Sequence, residues 1–515
     1  MNTKLLWLLA SLIVLSMLIL PCCGSSDDDD DDSGGNDDDS VNDDDTTDDD
    51  DQTDDDTADD DDAVDDDVVD DDDLVDDDDQ APQDPYESMT PVGDPMESII
   101  SIASHMSTGA EYSREREFEI EQAAAANLHY MRRGFYWNQI EPADDNWTFE
   151  GYDVMVDLIA DAGLSPIAMV TRGVSWAMPN ESPSDIAPEV FGDFAGTVAA
   201  RYADDIEIYE IWNEQNSTRF WKPAPDPNHY GVLLEAAYNA IHAADPNSQV
   251  IFGGMSPFDD VNLFDDRGVW NFLARVGEEH PDLCDFIDGV AIHPYTFLQQ
   301  PGPEFNLDVG FYHYLGTTGH VAEVRGMLDE LGCADLPIHF TEMGWPSLLI
   351  GNHLQAAFLA RGAILAASAE VASYCWYTFY DEEPDSSIPT EDYFGLYELP
   401  DGVTDPAPKP SWNAMTALVD ALEGFRYAGN LGETLTWNTE KAYSMVFKND
   451  ADDIVVALWK TGTEAISVQV PIPQNFDGEI ELLDLFGDEI EPVQATDSEI
   501  TIELSGDVQY LRFMN

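Results

Sequence analysis

Eight short apolar runs, about forty residues apart, constrain this chain more than any other feature. They are IISIASH (99–105), LHYMRRGFYW (128–137), SPIAMVTR (165–172), IEIYEIWNE (206–214), SQVIFGG (248–254), IDGVAIHPY (287–295), LPIHFTE (336–342) and ASYCWYTFY (372–380). Stretches with helical spacing lie between many of them, such as YDVMVDLIADAGL (152–164) and YGVLLEAAYNAIHAA (230–244). Strands that alternate with helices predict a parallel sheet, since parallel neighbours need a crossover connection. Burial on both faces makes such strands read as nearly continuous apolar runs. Eight repeats fit a closed (β/α)8 TIM barrel; a doubly wound open sheet is the competing architecture.

After PSWNAMTALVDALEGF (410–425), which has the pattern of a last barrel helix, the texture changes. AYSMVFKN, DIVVALWK, AISVQVPI, EIELLDLFG, EITIELS and VQYLRFM alternate polar and apolar residues and are separated by turn residues. They predict a small all-β, sandwich-like domain over 428–515, with the catalytic-type barrel over 85–427. Ahead of the barrel, residues 27–79 hold 34 Asp and no Lys or Arg. Such a tract cannot bury enough apolar surface to offset its ordering entropy, and its charges repel, so 24–84 reads as a disordered, extended linker. It lacks the Gly turn and closing Glu of a calcium loop, which leaves only weak, diffuse binding of divalent ions. The chain carries 107 acidic against 19 basic residues. With no basic patch to neutralise phosphate, nucleic acid and anionic membranes are excluded as partners.

The first residues, MNTKLLWLLASLIVLSMLILPCCGSS, have one Lys, an apolar run and then two cysteines, the pattern of an export signal. Leu20-Pro21-Cys22-Cys23 resembles a bacterial lipoprotein cleavage box, which implies a signal segment over 1–23 and lipidation of Cys23. The expectation is an exported, envelope- or surface-anchored monomer that touches the membrane only through its lipid. An uncleaved anchor is the alternative.

Active sites of such barrels lie at the C-terminal ends of the strands. The fourth run ends on Glu214 and the seventh on Glu342. With side chains alternating along a strand, Ile338, Phe340 and Glu342 are expected on one face, and Glu210 on the face of Glu214 but deeper, as a buried, paired carboxylate. Two carboxylates at the mouth suit glycoside hydrolysis, one protonated to assist the leaving oxygen and one ionised to attack the sugar or activate water. The competing reading is two structural ion pairs, which the scarcity of basic residues makes harder to satisfy twice.

Trp212-Asn213-Glu214 closing the fourth run and Glu342 closing the seventh resemble the clan A glycoside hydrolases, particularly the group around families 39 and 5. RRGFYWNQIEP (132–142) is similar to that group's second-strand signature, with Arg132 and Trp137 as its Arg and Trp. His293-Pro294-Tyr295 is similar to its sixth-strand pattern, and WYTFYD (376–381) to its aromatic eighth strand. The resemblance spans roughly 95–425 and implies a retaining enzyme acting on a β-linked poly- or oligosaccharide without metal or organic cofactor. It implies Glu214 as acid/base, with its pKa raised by a sparsely solvated site near the nucleophile's charge, and Glu342 as nucleophile kept ionised by Arg132 and Tyr295. Asn213 is the implied partner of the sugar 2-hydroxyl. His105, Arg132, Trp137, His293, Tyr295, Trp345 and Trp376 complete the expected substrate-binding set, with Trp176 a further stacking candidate. Gln215 stands where that group commonly has Pro, and places the loop after the acid/base in question.

Two readings of another class compete with the enzyme: a catalytically silent carbohydrate-binding barrel, and an adhesion lipoprotein whose working part is the divalent-cation-binding Asp tract. Cys284 and Cys333 each precede a strand, the sixth and seventh, so both fall on the N-terminal rim of neighbouring strands. Export would place them in an oxidising setting, which predicts a disulfide, while Cys375 within the eighth strand reads as a buried thiol.

Overall fold

The structure is a computed structural model that describes residues 84–257, 270–296, 302–305, 307–308, 313–383, 390–400, 404–434, 442–462 and 466–515. The expectations for the signal segment, the Asp-rich linker and Cys23 lie outside the described residues. The eight apolar runs form eight parallel strands: β1 (Ile100–Ala103), β2 (Tyr130–Tyr136), β3 (Ser165–Thr171), β4 (Ile208–Asn213), β5 (Gln249–Met255), β6 (Gly289–Ile292), β7 (Ile338–Met343) and β8 (Ser373–Tyr377). They close into a barrel in the order β1-β8-β7-β6-β5-β4-β3-β2. Closure excludes the open sheet.

Among the described residues, one helix of at least two turns follows each strand: α1 (Ser113–Ala125), α2 (Glu150–Asp161), α3 (Pro188–Arg201), α4 (Pro227–Ala244), α5 (Asn271–Glu279), α6 (Thr317–Leu331), α7 (Asn352–Ser368) and α8 (Pro410–Leu422). The ends of several are written locally. Asp226 caps α4 by accepting the His229 N–H at 3.0 Å, with Pro227 in the first helical position. Gly332, at φ +88°, ends α6 in the left-handed conformation that relieves its last carbonyls. Apolar side chains on the outer faces of the strands pack against this helical shell, while Ala103, Tyr130, Ile167, Ile208, Ile251, Ala291 and Cys375 fill the interior as a separate buried cluster.

The C-terminal region is two antiparallel sheets. Strands β9 (Arg426–Asn430), β10 (Ala442–Lys448), β11 (Ile454–Lys460), β13 (Glu479–Leu483) and β16 (Gln509–Met514) form one, in the order β9-β10-β11-β16-β13, and β12 (Ile466–Pro471), β15 (Glu499–Leu504) and β14 (Gln494–Ala495) form the other. Val446, Val456, Leu458, Val470, Ile502 and Leu511 share the core between them, the interdigitated layer of a sandwich. Tyr86 belongs to that core and its hydroxyl donates to the Pro471 carbonyl at 2.9 Å, so residues just before the barrel lie on the β domain, not the barrel where the sequence reading put them.

Cys284 and Cys333 are joined as expected, with Cα atoms 6.0 Å apart, and Cys375 is a free buried thiol.

Candidate active site

A polar layer sits on the apolar filling of the barrel. Alternation along β2 brings Arg132 inward above Tyr130, and along β4 Glu210 inward above Ile208. The pair is fully buried. Arg132 donates through Nε to Glu210 Oε2 at 2.6 Å and through Nη2 to Glu210 Oε1 at 2.9 Å. Glu210 Oε1 also accepts the Gly254 N–H at 2.8 Å and the Thr341 hydroxyl at 3.1 Å. A carboxylate so fully bonded has its lone pairs committed, and Glu210 acts as a fixed counter-charge that aims Arg132.

The remaining guanidinium N–H groups point toward the mouth. Nη1 donates to Glu342 Oε1 at 2.5 Å and Nη2 to Asn213 Oδ1 at 2.9 Å. The Tyr295 hydroxyl donates to Glu342 Oε2 at 3.0 Å. Burial pushes the Glu342 carboxyl up, but the positive charges of His293 and Arg132 outweigh it and hold the group well below the usual range, at about 2. Burial next to that carboxylate drives the Tyr295 phenol far above its ordinary value, so it remains a donor. His293, with no exposed side-chain surface, places Nδ1 3.2 Å from Glu214 Oε1 and 3.5 Å from Glu342 Oε2. Ligand atoms of Glu214, His293 and Glu342 lie within 4.8 Å of one another. Both glutamates keep some access to solvent, 15% for Glu214 and 13% for Glu342.

Regular strands would not assemble this set. On β4, Trp212 at φ +74° breaks the alternation, so Asn213 turns inward three residues after Glu210 while Trp212 packs outward on Phe191 and Trp221. On β7 the expected shared face of Ile338, Phe340 and Glu342 is corrected. Ile338 and Phe340 pack outward in the helix-facing core, and between Phe340 and Met343 β7 advances three residues against two on β8. That bulge turns Thr341 and Glu342 into the site in succession. β5 holds a similar extra residue beside β6, between Phe252 and Met255. There Gly254 is required: a Cβ would stand 2.1 Å from His293 Nε2 and 2.8 Å from Glu210 Oε1. Gln215 is buried and donates to the Gly253 carbonyl at 2.8 Å, pinning the start of the loop after Glu214 to β5.

The expected tryptophans are corrected as well. Trp137, Trp345 and Trp376 have no exposed surface. Trp137 stacks on Phe194 and donates to Glu141 at 2.8 Å, Trp345 donates to Thr296 at 3.0 Å, and Trp376 donates to the Phe394 carbonyl at 3.0 Å. All three are packing residues behind the site. Trp176 is half-buried against Trp137. On β8, Cys375 and Tyr377 face inward, and Tyr377 rather than Trp376 meets the mouth, edge-on to Tyr295 and His105. His105 itself is half-exposed and bonds Glu382 through Nδ1 at 2.5 Å, further out than the other candidates. Thr341, which donates to Glu210, and Tyr377, at the mouth, are not among the residues the sequence singles out. The signal for Tyr377 was present, since it is two residues from buried Cys375.

The converged Glu214, His293 and Glu342 are close enough to ligate a metal. Both Glu342 oxygens, however, already accept from Arg132 and Tyr295, and the guanidinium would repel a cation there. The geometry instead leaves two carboxylates, both with some access to solvent and that of Glu342 held ionised, around a space bounded by Asn213, His293 and Tyr295.

This barrel, with a glutamate at the end of β4 and another at the end of β7, is similar to glycoside hydrolases in both sequence and fold. Residues 93–345 match the family described as Cellulase (glycosyl hydrolase family 5). A β-xylosidase of Geobacillus stearothermophilus is 25% identical over 291 residues, covering 52% of this chain and 51% of its own. The chain thus spans about half the length of that curated relative. A family 39 glycoside hydrolase from the gut symbiont Bacteroides cellulosilyticus WH2 superposes with a TM-score of 0.65 at 21% identity, over 81% of this chain and 82% of that one. A monomeric β-xylosidase from Caulobacter crescentus CB15 superposes with a TM-score of 0.55 at 16% identity, over 82% and 97%. At these identities the two solved structures speak for the fold alone.

Proposed function

We propose that the protein is a retaining glycoside hydrolase that cleaves β-linked glycans by double displacement, with β-xylosides the first substrates to try. The observation that carries the reading is the close approach of the Glu214 and Glu342 carboxylates, with oxygens within 4.8 Å. Retaining enzymes hold their two carboxyl groups about 5–5.5 Å apart, whereas inverting ones need about 6.5–9.5 Å to admit water. Glu342, kept anionic, attacks the anomeric carbon while Glu214 gives its proton to the leaving oxygen. Glu214 then takes a proton from the water that releases the sugar. Asn213 has its carbonyl engaged by Arg132, which leaves its amide N–H2 to donate to the sugar 2-hydroxyl, a contact that strengthens as the ring becomes oxocarbenium-like. β-Xylosides come first because the curated relative is a β-xylosidase.

Product anomers followed by NMR in the first minutes of hydrolysis of 4-nitrophenyl β-D-xyloside test the reading. Retention is expected. Net inversion removes Glu342 from the nucleophile's role. Binding of xylo-oligosaccharides without turnover would favour the silent binding barrel.

We also propose that the enzyme is exported and held at the bacterial envelope through acylated Cys23, with the Asp tract as spacer. The disulfide between Cys284 and Cys333 suits an oxidising compartment. One acyl chain binds a membrane only marginally, so the anchor needs the several chains of a bacterial lipoprotein. Cys23→Ser is expected to release soluble enzyme into the medium; a variant that stays membrane-bound at unchanged size would mean an uncleaved anchor.

A further inference from the structure

The loop after β8 makes two contacts that the catalytic chemistry does not use. Near its start, Glu382 accepts from His105, on the loop after neighbouring β1. Further along, Glu391 takes both ends of the Arg219 guanidinium, at 2.8 and 3.3 Å. Arg219 lies on the loop after β4. In the closed order of this barrel β4 stands four places from β8 in either direction, diametrically across the mouth. Loops rooted on opposite strands meet only by reaching over the opening.

The reach is braced. The Glu382 N–H donates to the Asp392 carbonyl at 3.0 Å, which ties the residue next to Glu391 to the segment leaving β8. Buried Lys409 joins Asp381 at 2.8 Å and the Tyr393 carbonyl at 3.3 Å, and Asp381 accepts the Gly395 N–H at 2.9 Å. The Ser217 N–H donates to the Glu214 carbonyl at 2.9 Å and the Arg219 N–H to the Ser217 hydroxyl at 3.2 Å, so a tight turn keeps Arg219 close to Glu214, while Tyr377, at the end of β8, lies edge-on to Tyr295, whose hydroxyl bonds Glu342. The bridge therefore stands beside the catalytic carboxylates rather than on a remote edge. Arg219 is 56% exposed and Glu391 33%, and an ion pair so open contributes about 0–1 kcal/mol to stability. Stabilising the fold is thus a poor account of a two-pronged contact across the whole mouth.

We infer that the Arg219–Glu391 bridge walls off one side of the catalytic carboxylates, so that the site admits the end of a glycan chain and not its middle. The inference rests on the glycosidase reading and deepens it: the substrate class is the chain terminus of an oligosaccharide or a short glycoside, and Arg219 and Glu391 determine that specificity. A chain lying across the mouth needs subsites on both sides of the scissile bond. The contact line from β8 to β4 obstructs one of them.

The test uses the full chain, 4-nitrophenyl β-D-xyloside, and β-1,4-xylohexaose carrying a fluorophore at its reducing end. The wild type is expected to shorten the labelled hexaose one unit at a time. The Arg219→Ala, Glu391→Ala double variant should raise the early share of short labelled products from internal cuts by about tenfold, while the aryl xyloside rate, which also reports folding, changes less than about threefold. The exchange Arg219→Glu with Glu391→Arg restores the pair and should restore unit-by-unit shortening. Random internal cutting by the wild type, or a product pattern unchanged in the double variant, overturns the inference. A wild type that hydrolyses neither substrate instead removes the β-xyloside reading, and this inference falls with it.

Discussion

At the scale of single residues, the site is organised around one cation. Arg132 is shared between a buried carboxylate that fixes it and an accessible one that it holds ionised. The Glu342 carboxyl is depressed from 4.5 to about 2, so its ionised form contributes stability that is fully present above about pH 4.5 and is lost as pH falls through about 2. The stability of the wild type relative to Glu342→Gln, from urea titrations, should accordingly shrink as pH drops from 5 toward 2. A constant difference would mean that Glu342 titrates like an ordinary carboxyl. Glu342→Gln should also abolish turnover with the fold intact. Glu214→Ala should slow glycosides with poor leaving groups by roughly 10²–10⁴-fold and activated aryl glycosides far less, since the latter need little protonation. Equal slowing of both would deny Glu214 the acid's role. Gly254→Ala drives a methyl into His293 and Glu210, both pinned by other bonds, and a displacement near 1 Å at a catalytic site costs about a hundredfold in rate. Circular dichroism of the same variant separates lost positioning from lost folding.

At the scale of elements, the strands announced themselves and their irregularities did not. Apolar runs located all eight strands to within a few residues, because burial on both faces leaves a compositional trace. Which side chain faces inward depends on parity, and parity is reset wherever a strand bulges or a residue takes positive φ. Trp212, the extra residue in β7 and the extra residue in β5 each shift it, and nothing in the one-dimensional pattern marks them. The carboxylates were legible because Glu at the end of an apolar run has few structural uses. The aromatic residues were not, because tryptophan serves packing and stacking equally well, and here burial claimed Trp137, Trp345 and Trp376. The disulfide was legible from loop position alone. It ties together the segments entering β6 and β7, at the rim opposite the catalytic mouth, and its sequence separation of 49 residues suggests roughly 4 kcal/mol of stabilisation by chain entropy. Cys284→Ser should lower the melting temperature while leaving activity at low temperature unchanged; equal activity loss at all temperatures would place the rim's influence on the site itself.

At the scale of the whole molecule, the barrel and the β domain are one packed body. Met445, Phe447, Val455, Ala457, Trp459 and Tyr510, from the five-stranded sheet, belong to the same buried apolar cluster as the barrel's helices. A buried polar node pins the junction. Glu304, on the loop after β6, takes both prongs of Arg361 from α7 at 2.5 Å, and the Trp459 indole N–H from β11 at 2.7 Å. Trp459 is fully buried and stacked on Tyr443 at 4.9 Å. Removing it leaves a cavity and takes one donor from Glu304, so Trp459→Ala should cost about 3–5 kcal/mol. Because the cluster runs through both regions, neither can unfold without exposing the other's apolar face. Thermal unfolding should therefore be a single transition, with near-ultraviolet circular dichroism and residual hydrolytic activity falling together. In Trp459→Ala both should fall at the same lowered temperature, although the substitution lies in the β domain and the chemistry in the barrel. A variant whose activity outlasts its aromatic signal would show that the two regions unfold separately, and that the shared cluster does not couple them.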